Sequence, residues 1–86
     1  MADKVAGRDL IGRNVVSDRG TIIGRLSDIS VETTGGKVTM LIVKPGKEID
    51  AKRFRLSDNG ELLIPFKAVK AVKDVLIVNE SGIPFS

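Results

Sequence analysis

The stretch that decides the fold is Val15-Val16-Ser17-Asp18-Arg19-Gly20-Thr21-Ile22-Ile23. Two β-branched runs flank a polar Asp-Arg-Gly sequence, which is typical of a strand, a tight turn and a second strand. Apolar and polar residues then alternate as far as Glu32, with Gly24 interrupting the pattern. Because glycine inside a strand favours a bulge or a sharp bend, we predict one long strand that curls over.

Further strands follow outward from this hairpin. Residues 33–36 form the clearest turn in the sequence, and residues 37–43 follow as a β-rich strand that pairs back on the long one. A mostly polar loop, 47–60, leads into a short strand over residues 62–64. That strand ends at Pro65, because proline has no N–H to donate to a ladder.

The last part of the chain predicts one helical turn and two more strands. A single helical turn is expected over residues 66–69, followed by a strand, and Val75 to Val78 is an uninterrupted aliphatic strand. Six short strands in 86 residues predict a mainly β fold, a small closed or nearly closed barrel. The chain has room for one domain, 1–86, in which residues 1–8 and 79–86 are expected to form flexible tails.

Composition excludes most enzyme chemistry. The chain has no His, Cys, Trp or Tyr, so zinc ligand sets, cysteine nucleophiles and histidine-based triads are ruled out. The acids Asp28, Asp50, Asp58 and Glu61 are scattered, with no paired spacing. Apolar runs are far shorter than the roughly 20 residues of a membrane span, and the start is unlike a signal peptide. We therefore expect a cytoplasmic, non-enzymatic protein without a cofactor.

The net charge of +3 is concentrated in one segment. Residues 44–56 carry five Lys or Arg against two Asp or Glu, whereas the rest of the chain is close to neutral. This basic segment is the candidate electrostatic footprint for RNA, an acidic protein or anionic lipid, and a solvated loop is the alternative. The chain has only three Phe as aromatic residues, too few for a stacking platform, so RNA is the weaker hypothesis.

Three segments in this order resemble the PRC-barrel family. Residues 10–15 with 20–29 are similar to its opening hairpin, and residues 32–43 to the following turn and apolar strand. The Leu62-Leu63-Ile64-Pro65-Phe66 sequence with residues 69–78 is similar to its closing segment, in which Pro65 and Phe66 end a strand and plug the barrel. Together these segments cover nearly the whole chain.

The resemblance implies a fold rather than a reaction, because this fold occurs in ribosome-maturation modules, reaction-centre subunits and small stand-alone archaeal proteins. The chain resembles the last group in length. Some of those proteins act in cell division, where they bind one another and the membrane-linked adaptor SepF of the FtsZ ring. The resemblance thus implies a homodimeric adaptor recruited to the division site, with a ribosome-maturation-like module that binds RNA or ribonucleoprotein as the alternative.

Candidate partner-binding residues lie in the basic segment. Arg53, Phe54 and Arg55 place an aromatic ring between two permanent cations in a loop, and Arg and aromatic residues dominate interface hot spots. The competing hypothesis is that Phe54 is a core residue beneath the loop. Lys67, Lys70 and Lys73 are interpreted as a solubilising face that protects a sheet edge from pairing.

The segments 40–43 and 75–78 are strands that are apolar on both faces, which predicts that another part of this chain or another molecule covers the face opposite the core. One solution is intramolecular, with the segment 83–85 or the loop 47–56 folded across it. The other is a homodimer or a partner. The residues predicted to form the dimer interface are Met40, Leu41, Ile42, Val43, Val75, Leu76, Ile77, Val78, Ile83 and Phe85.

Overall fold

Six strands form one sheet in the computed structural model, which describes residues 7–85. The sheet order is β4-β3-β2-β1-β6-β5, and every neighbouring pair is antiparallel except β1 and β6, which are parallel. The strands are β1 (Asn14–Ser17), β2 (Ile22–Val31), β3 (Val38–Pro45), β4 (Leu62–Pro65), β5 (Val69–Val72) and β6 (Leu76–Val78). The predicted mainly β, six-stranded fold is confirmed.

Short 3₁₀ helices connect or flank the strands, at Gly7–Leu10, Ala51–Arg53, Phe66–Ala68 and Glu80–Gly82. Phe66–Ala68 is the helical turn predicted from the sequence, and β5 follows it directly. Part of the amino-terminal segment that we expected as a tail, residues 1–6, lies outside the described residues.

Strand alternation builds the core. In β3, Leu41 and Val43 are fully buried while their neighbours Met40 and Ile42 are only half-buried. The same period of two runs through β4 and β6, as expected for strands with one face in a core. The buried apolar cluster consists of Leu10, Val15, Ile23, Leu26, Leu41, Val43, Leu62, Ile64, Ala68, Leu76, Val78 and Ile83.

The barrel is loose, because no hydrogen-bonded ladder joins the edge strands β4 and β5 in the described part of the chain. Two isolated bridges extend the sheet beyond β4 instead: Leu56 pairs with Leu62, and Phe54 pairs with Phe85. The 79–85 segment, expected as a tail, thus packs against the fold, with Ile83 only 2% exposed. The predicted fold is correct, but the described sheet is not closed, and the loop and the carboxyl-terminal segment extend it on the β4 side only.

Gly24 marks a close contact between β2 and the end of β3. Val15 pairs with Gly24 and Val16 with Ile22, so Ile23 is an extra residue in β2 and the strand bulges there. A Cβ on Gly24 would lie 2.0 Å from the carbonyl oxygen of Lys44. The irregularity predicted at Gly24 is confirmed as a bulge at Ile23, and beside it β2 approaches β3 so closely that only glycine fits.

Two turns of the same design begin β2 and β4. In the first, the Ser17 hydroxyl accepts hydrogen bonds from the N–H groups of Arg19 and Thr21, both at 3.1 Å. In the second, the Ser57 hydroxyl accepts from Asn59 at 3.3 Å and Glu61 at 3.2 Å. Each turn has a glycine at positive φ three residues after the serine, +86° in the first and +79° in the second. The shared Ser-Asp-X-Gly sequence therefore encodes one local structure twice.

The predicted role of Phe66 as a barrel plug is wrong. Its side chain is 37% exposed, and the buried residue of its helical turn is Ala68. Gly82 approaches so closely that a Cβ there would lie 2.9 Å from the Cβ of Ala68. The two short helices pack closely here, and Ile83, which follows the second of them, is buried. Together they fill the core next to Ala68 and leave the ring of Phe66 outside.

Candidate protein-interaction surfaces

The Arg53-Phe54-Arg55 segment is held in place at both sides. Asp50 caps the short helix Ala51–Arg53, which contains the first of these residues, by accepting from the N–H of Lys52 at 3.2 Å, and the N–H of Phe54 donates to the carbonyl of Ala51. The N–H of Arg55 donates to the carbonyl of Pro84 at 3.0 Å. The loop therefore forms a defined backbone rather than a free coil.

The ring of Phe54 stacks on that of Phe85, with centroids 5.2 Å apart and planes inclined by 20°. Phe54 is half-buried and packs against the core, whereas Phe85 is 55% exposed. Arg53 and Arg55 are exposed on either side. Phe54 therefore fits each of the two sequence hypotheses in part. It packs against the core, and it also stacks on Phe85, whose ring is exposed to solvent.

A small pocket of about 180 Å³ lies beside Phe54 and brings acids into the basic segment. Glu48, Asp50 and Glu80 line it together with Arg53. The carboxylate Oε2 of Glu80 lies 3.8 Å from Nη1 of Arg19. The surface around Arg53 is consequently of mixed charge, which suits a protein partner better than a phosphate backbone.

Half of the residues predicted for the dimer interface lie in the core. Leu41, Val43, Leu76, Val78 and Ile83 are at most 2% exposed. An interface on the folded chain is left with the other five, which are half-buried or exposed: Met40, Ile42, Val75, Ile77 and Phe85.

The remaining five do not form one patch. Met40 and Ile42 lie on β3, whereas Ile77 lies on β6, with β2 and β1 between them in the sheet. A polar row separates the two sides, because Arg25 pairs with Asn14 on β1 and with Lys44 on β3.

On one side, the outer residues of β3 continue onto β4. Met40 pairs with Pro65 and Ile42 with Leu63, and all four are half-buried. We call these four residues the β3–β4 patch. Leu63 and Pro65 were missed from the sequence, although the period-two pattern of residues 62–65 places them on the same face.

On the other side, an apolar row crosses four strands. Ile22 pairs with Val16, Val16 with Ile77, and Ile77 with Ala71 at the sheet edge. Ile22 is 44% exposed and the other three are half-buried. Sequence reasoning found only Ile77, because the parallel pairing of β1 with β6 cannot be deduced from a local pattern.

An electrostatic cluster ties the first turn to β5 and to the last helix. Oδ1 of Asp18 accepts from the N–H of Glu80 at 3.1 Å, and its Oδ2 lies 3.6 Å from Nζ of Lys70. The N–H of Glu80 is the main cause that lowers the pKa of Asp18; partial desolvation opposes it, and the Lys70 ammonium adds to it. Because the Asp18–Lys70 ion pair is exposed, it contributes little to the stability of the fold. The role of the cluster is to orient the three segments that it joins.

A larger open cleft, about 530 Å³, lies where β2, β3 and the second Ser-Asp-X-Gly turn meet. The Ser27 hydroxyl donates to Oε2 of Glu61 at 2.6 Å and lies 3.1 Å from the carbonyl of Ile42. These contacts join the turn to the sheet. Among residues 7–85, no three acids are arranged to hold a metal ion, and no helix is long and apolar enough to cross a bilayer.

The six-stranded, mainly β sheet fits the small barrel that the sequence predicted. A model of the PRC-barrel domain matches residues 2–82, and the chain belongs to this family. It is also 28% identical over 81 residues to an uncharacterised protein of the archaeon Methanocaldococcus jannaschii, an alignment that covers 94% of this chain and 88% of the relative.

Proposed function

We propose that this chain is a non-enzymatic adaptor that forms a homodimer and acts in an archaeal cell-division assembly, with a SepF-type protein as its partner. Its membership of the PRC-barrel family and its similarity to an archaeal protein of almost the same length support the class and the setting. The division role is the part that the family resemblance suggests and that experiment must test.

The observation that carries the proposal is the β3–β4 patch. Met40, Ile42, Leu63 and Pro65 form a continuous apolar surface on the outer face of two adjacent strands, opposite the core face of Leu41 and Val43. A two-fold contact brings the same patch of each copy together, which is the commonest dimer geometry. A standard interface buries about 800 Å² on each partner, a sizeable share of the 5699 Å² surface of this chain. Four half-buried side chains are too few to supply that area, so the proposed contact extends beyond them.

The proposed partner contact is Arg53, Phe54 and Arg55, extended by the stacked ring of Phe85. Two exposed guanidinium groups beside an aromatic pair offer stacking and bidentate hydrogen bonds to acidic side chains. The segment adjoins the β3–β4 patch, because Leu56 pairs with Leu62 at the edge of β4 and the N–H of Leu63 lies 3.5 Å from the carbonyl of Arg55.

Titration of the purified protein with purified archaeal SepF, by calorimetry, tests the proposal. We expect saturable binding that weakens by about tenfold or more in the double variant Arg53→Ala/Arg55→Ala. The matched control is Lys44→Ala/Lys47→Ala, which removes two cations from the same basic segment and should bind as the parent does. If both double variants bound SepF as tightly as the parent does, Arg53 and Arg55 would be excluded as the contact.

The ribosome-maturation alternative predicts a different result. Submicromolar, sequence-selective RNA binding at physiological salt, without binding to SepF, would replace the adaptor with a ribonucleoprotein-binding module. Contacts to phosphate alone give weak, sequence-blind and steeply salt-dependent binding, so such behaviour would not support that module.

A further inference from the structure

The edge strand β5 has one paired side and one open side in the described part of the chain. It pairs with β6 through Val69, Ala71 and Val72, and no ladder forms on its other side. An open strand edge presents backbone N–H and C=O groups that can pair with an added strand. β5 is therefore where another extended segment has hydrogen-bonding groups available.

Exposed apolar side chains flank this edge. Phe66, the first residue of the helical turn that leads into β5, is 37% exposed, and Val72 at the end of β5 is 38% exposed. Between them, Ala71 is the last member of the apolar row that runs from Ile22 through Val16 and Ile77. Because alanine is small, a larger apolar side chain on an added strand has room to pack on Ala71 and prolong that row.

The charge at this edge is positive. Lys67, Lys70 and Lys73 are exposed, and the guanidinium of Arg13 donates to the carbonyl of Lys73 at 2.6 Å. Lys70 is paired with Asp18, whereas Lys67 and Lys73 make no ion pair within residues 7–85. One acid, Asp74, lies in the same segment.

We propose that β5 binds an extended acidic segment of a partner protein, which adds a strand to the sheet at this edge. Alternate side chains of the segment pack on Phe66, Ala71 and Val72, and its carboxylates meet Lys67 and Lys73. The inference names a second contact of the proposed adaptor and so rests on that function.

The same lysines argue against a second copy of the chain as the occupant. If two β5 strands paired across a two-fold axis, Lys70 and Lys73 of one copy would approach those of the other, and like charges facing one another across a ladder destabilise the pair. Lysine on an edge strand is a known protection against self-pairing. It does not protect the edge from an acidic strand, and the exposed Phe66 and Val72 have no role in such protection.

The experiment uses the full chain, labelled with ¹⁵N, and a short synthetic peptide in which glutamate and valine alternate. We expect the amide signals of β5 and of Phe66 to shift on titration and the amides of β5 to gain hydrogen-exchange protection. Binding should weaken as salt rises from about 0.05 to about 0.5 M, because the Debye length shortens. The control peptide has lysine in place of glutamate and should produce no shifts at β5.

Two double variants make the test specific. Lys67→Glu/Lys73→Glu should weaken binding of the acidic peptide by roughly tenfold or more and should allow the lysine peptide to bind. Lys44→Glu/Lys47→Glu makes the same change in net charge on β3 and in the loop after it, with three strands between β3 and β5 in the sheet, and should bind the acidic peptide as the parent does. All four lysines are exposed, so both variants should keep the parent's melting temperature.

Three results would overturn the inference. These are shifts confined to the basic segment 44–56, loss of binding in the Lys44→Glu/Lys47→Glu control, or self-association of the parent through β5 without peptide. Failure here is distinct from failure of the adaptor proposal, because binding to SepF through Arg53 and Arg55 is measured separately and does not involve β5.

Discussion

The substitution Gly24→Ala should destabilise the protein more than any other single methyl addition to the sheet. The new Cβ would lie 2.0 Å from the carbonyl oxygen and 2.9 Å from the carbonyl carbon of Lys44, and 3.1 Å from the backbone nitrogen of Gly46. All three atoms belong to the backbone. No side-chain rotation relieves the overlap, so β2 and the end of β3 must separate.

The size of the effect follows from this separation. An ordinary contact needs a Cβ–oxygen distance of about 3.4 Å, which requires a movement of more than about 1 Å. The hydrogen bond from the N–H of Gly46 to the carbonyl of Ile23, now 2.8 Å, would break. Strain of about 1–3 kcal/mol and a lost buried hydrogen bond of about 1–3 kcal/mol outweigh the gain of about 0.4–1 kcal/mol from a stiffer unfolded chain.

The net loss is about 1–5 kcal/mol, and each kcal/mol lowers the melting temperature of a domain of this size by about 4–8 °C. Circular dichroism during heating and urea titration measure it. Gly46→Ala is the matched control, because its Cβ would meet backbone atoms at 3.5 Å or more across the same contact. It should stay within about 1 kcal/mol of the parent. A Gly24→Ala variant as stable as Gly46→Ala would refute the close approach of these backbones.

Three further substitutions separate local contributions to stability. Ser17→Ala should lower the free energy of unfolding by about 1–2 kcal/mol, because it leaves two N–H groups without their acceptor. Ser57→Ala should have a smaller effect, since Ser57 is half-buried whereas Ser17 is 3% exposed. The urea midpoints of the two variants measure this difference. The pKa of Asp18 in the folded protein is below its unfolded value of about 4. The stability that Asp18 contributes is therefore fully present above the unfolded pKa and is lost as the pH falls through the folded pKa. In Asp18→Asn, the free energy of unfolding should fall less steeply at acid pH, as unfolding titrations at several pH values would show. Phe54→Ala should cost about 1–3 kcal/mol and Phe85→Ala less, as their melting temperatures would show; equal costs would contradict the unequal burial of the two rings.

Most of the fold was predictable because local patterns determine it. The hairpin around Asp18, Arg19 and Gly20, the turn at residues 33–36 and the stop at Pro65 all depend on residues adjacent in sequence. The helical turn before β5 was also predicted correctly. In each case, backbone preferences and period-two alternation act within a few residues.

Phe66 was mispredicted because its position depends on distant residues. A large apolar side chain after a strand suggests burial, but the space is filled where Gly82 packs on Ala68. Likewise, the Phe54–Phe85 stack joins residues 31 positions apart, and no local signal announces it. Long-range pairing of this kind is set by the whole topology rather than by propensity.

The candidate surfaces were only partly predictable for the same reason. Apolar strands on both faces correctly indicated an outer apolar surface at Met40 and Ile42, but pattern alone named Leu41 and Val43 as well, because it does not tell which face is the core. Lys67, Lys70 and Lys73 had indicated a sheet edge from the sequence, and the strand order identifies β5 as that edge strand.

The central claim, a homodimer through the β3–β4 patch, is tested most directly by sedimentation equilibrium of the parent and of Ile42→Lys. A lysine at this half-buried outer position places a charge in the contact while leaving the core face of β3 unchanged. We predict twice the chain mass of 9.2 kDa for the parent and a single chain mass for the variant, with both folded by circular dichroism. A parent that stays monomeric up to millimolar concentration, or a variant that dimerises as well as the parent, would contradict the claim.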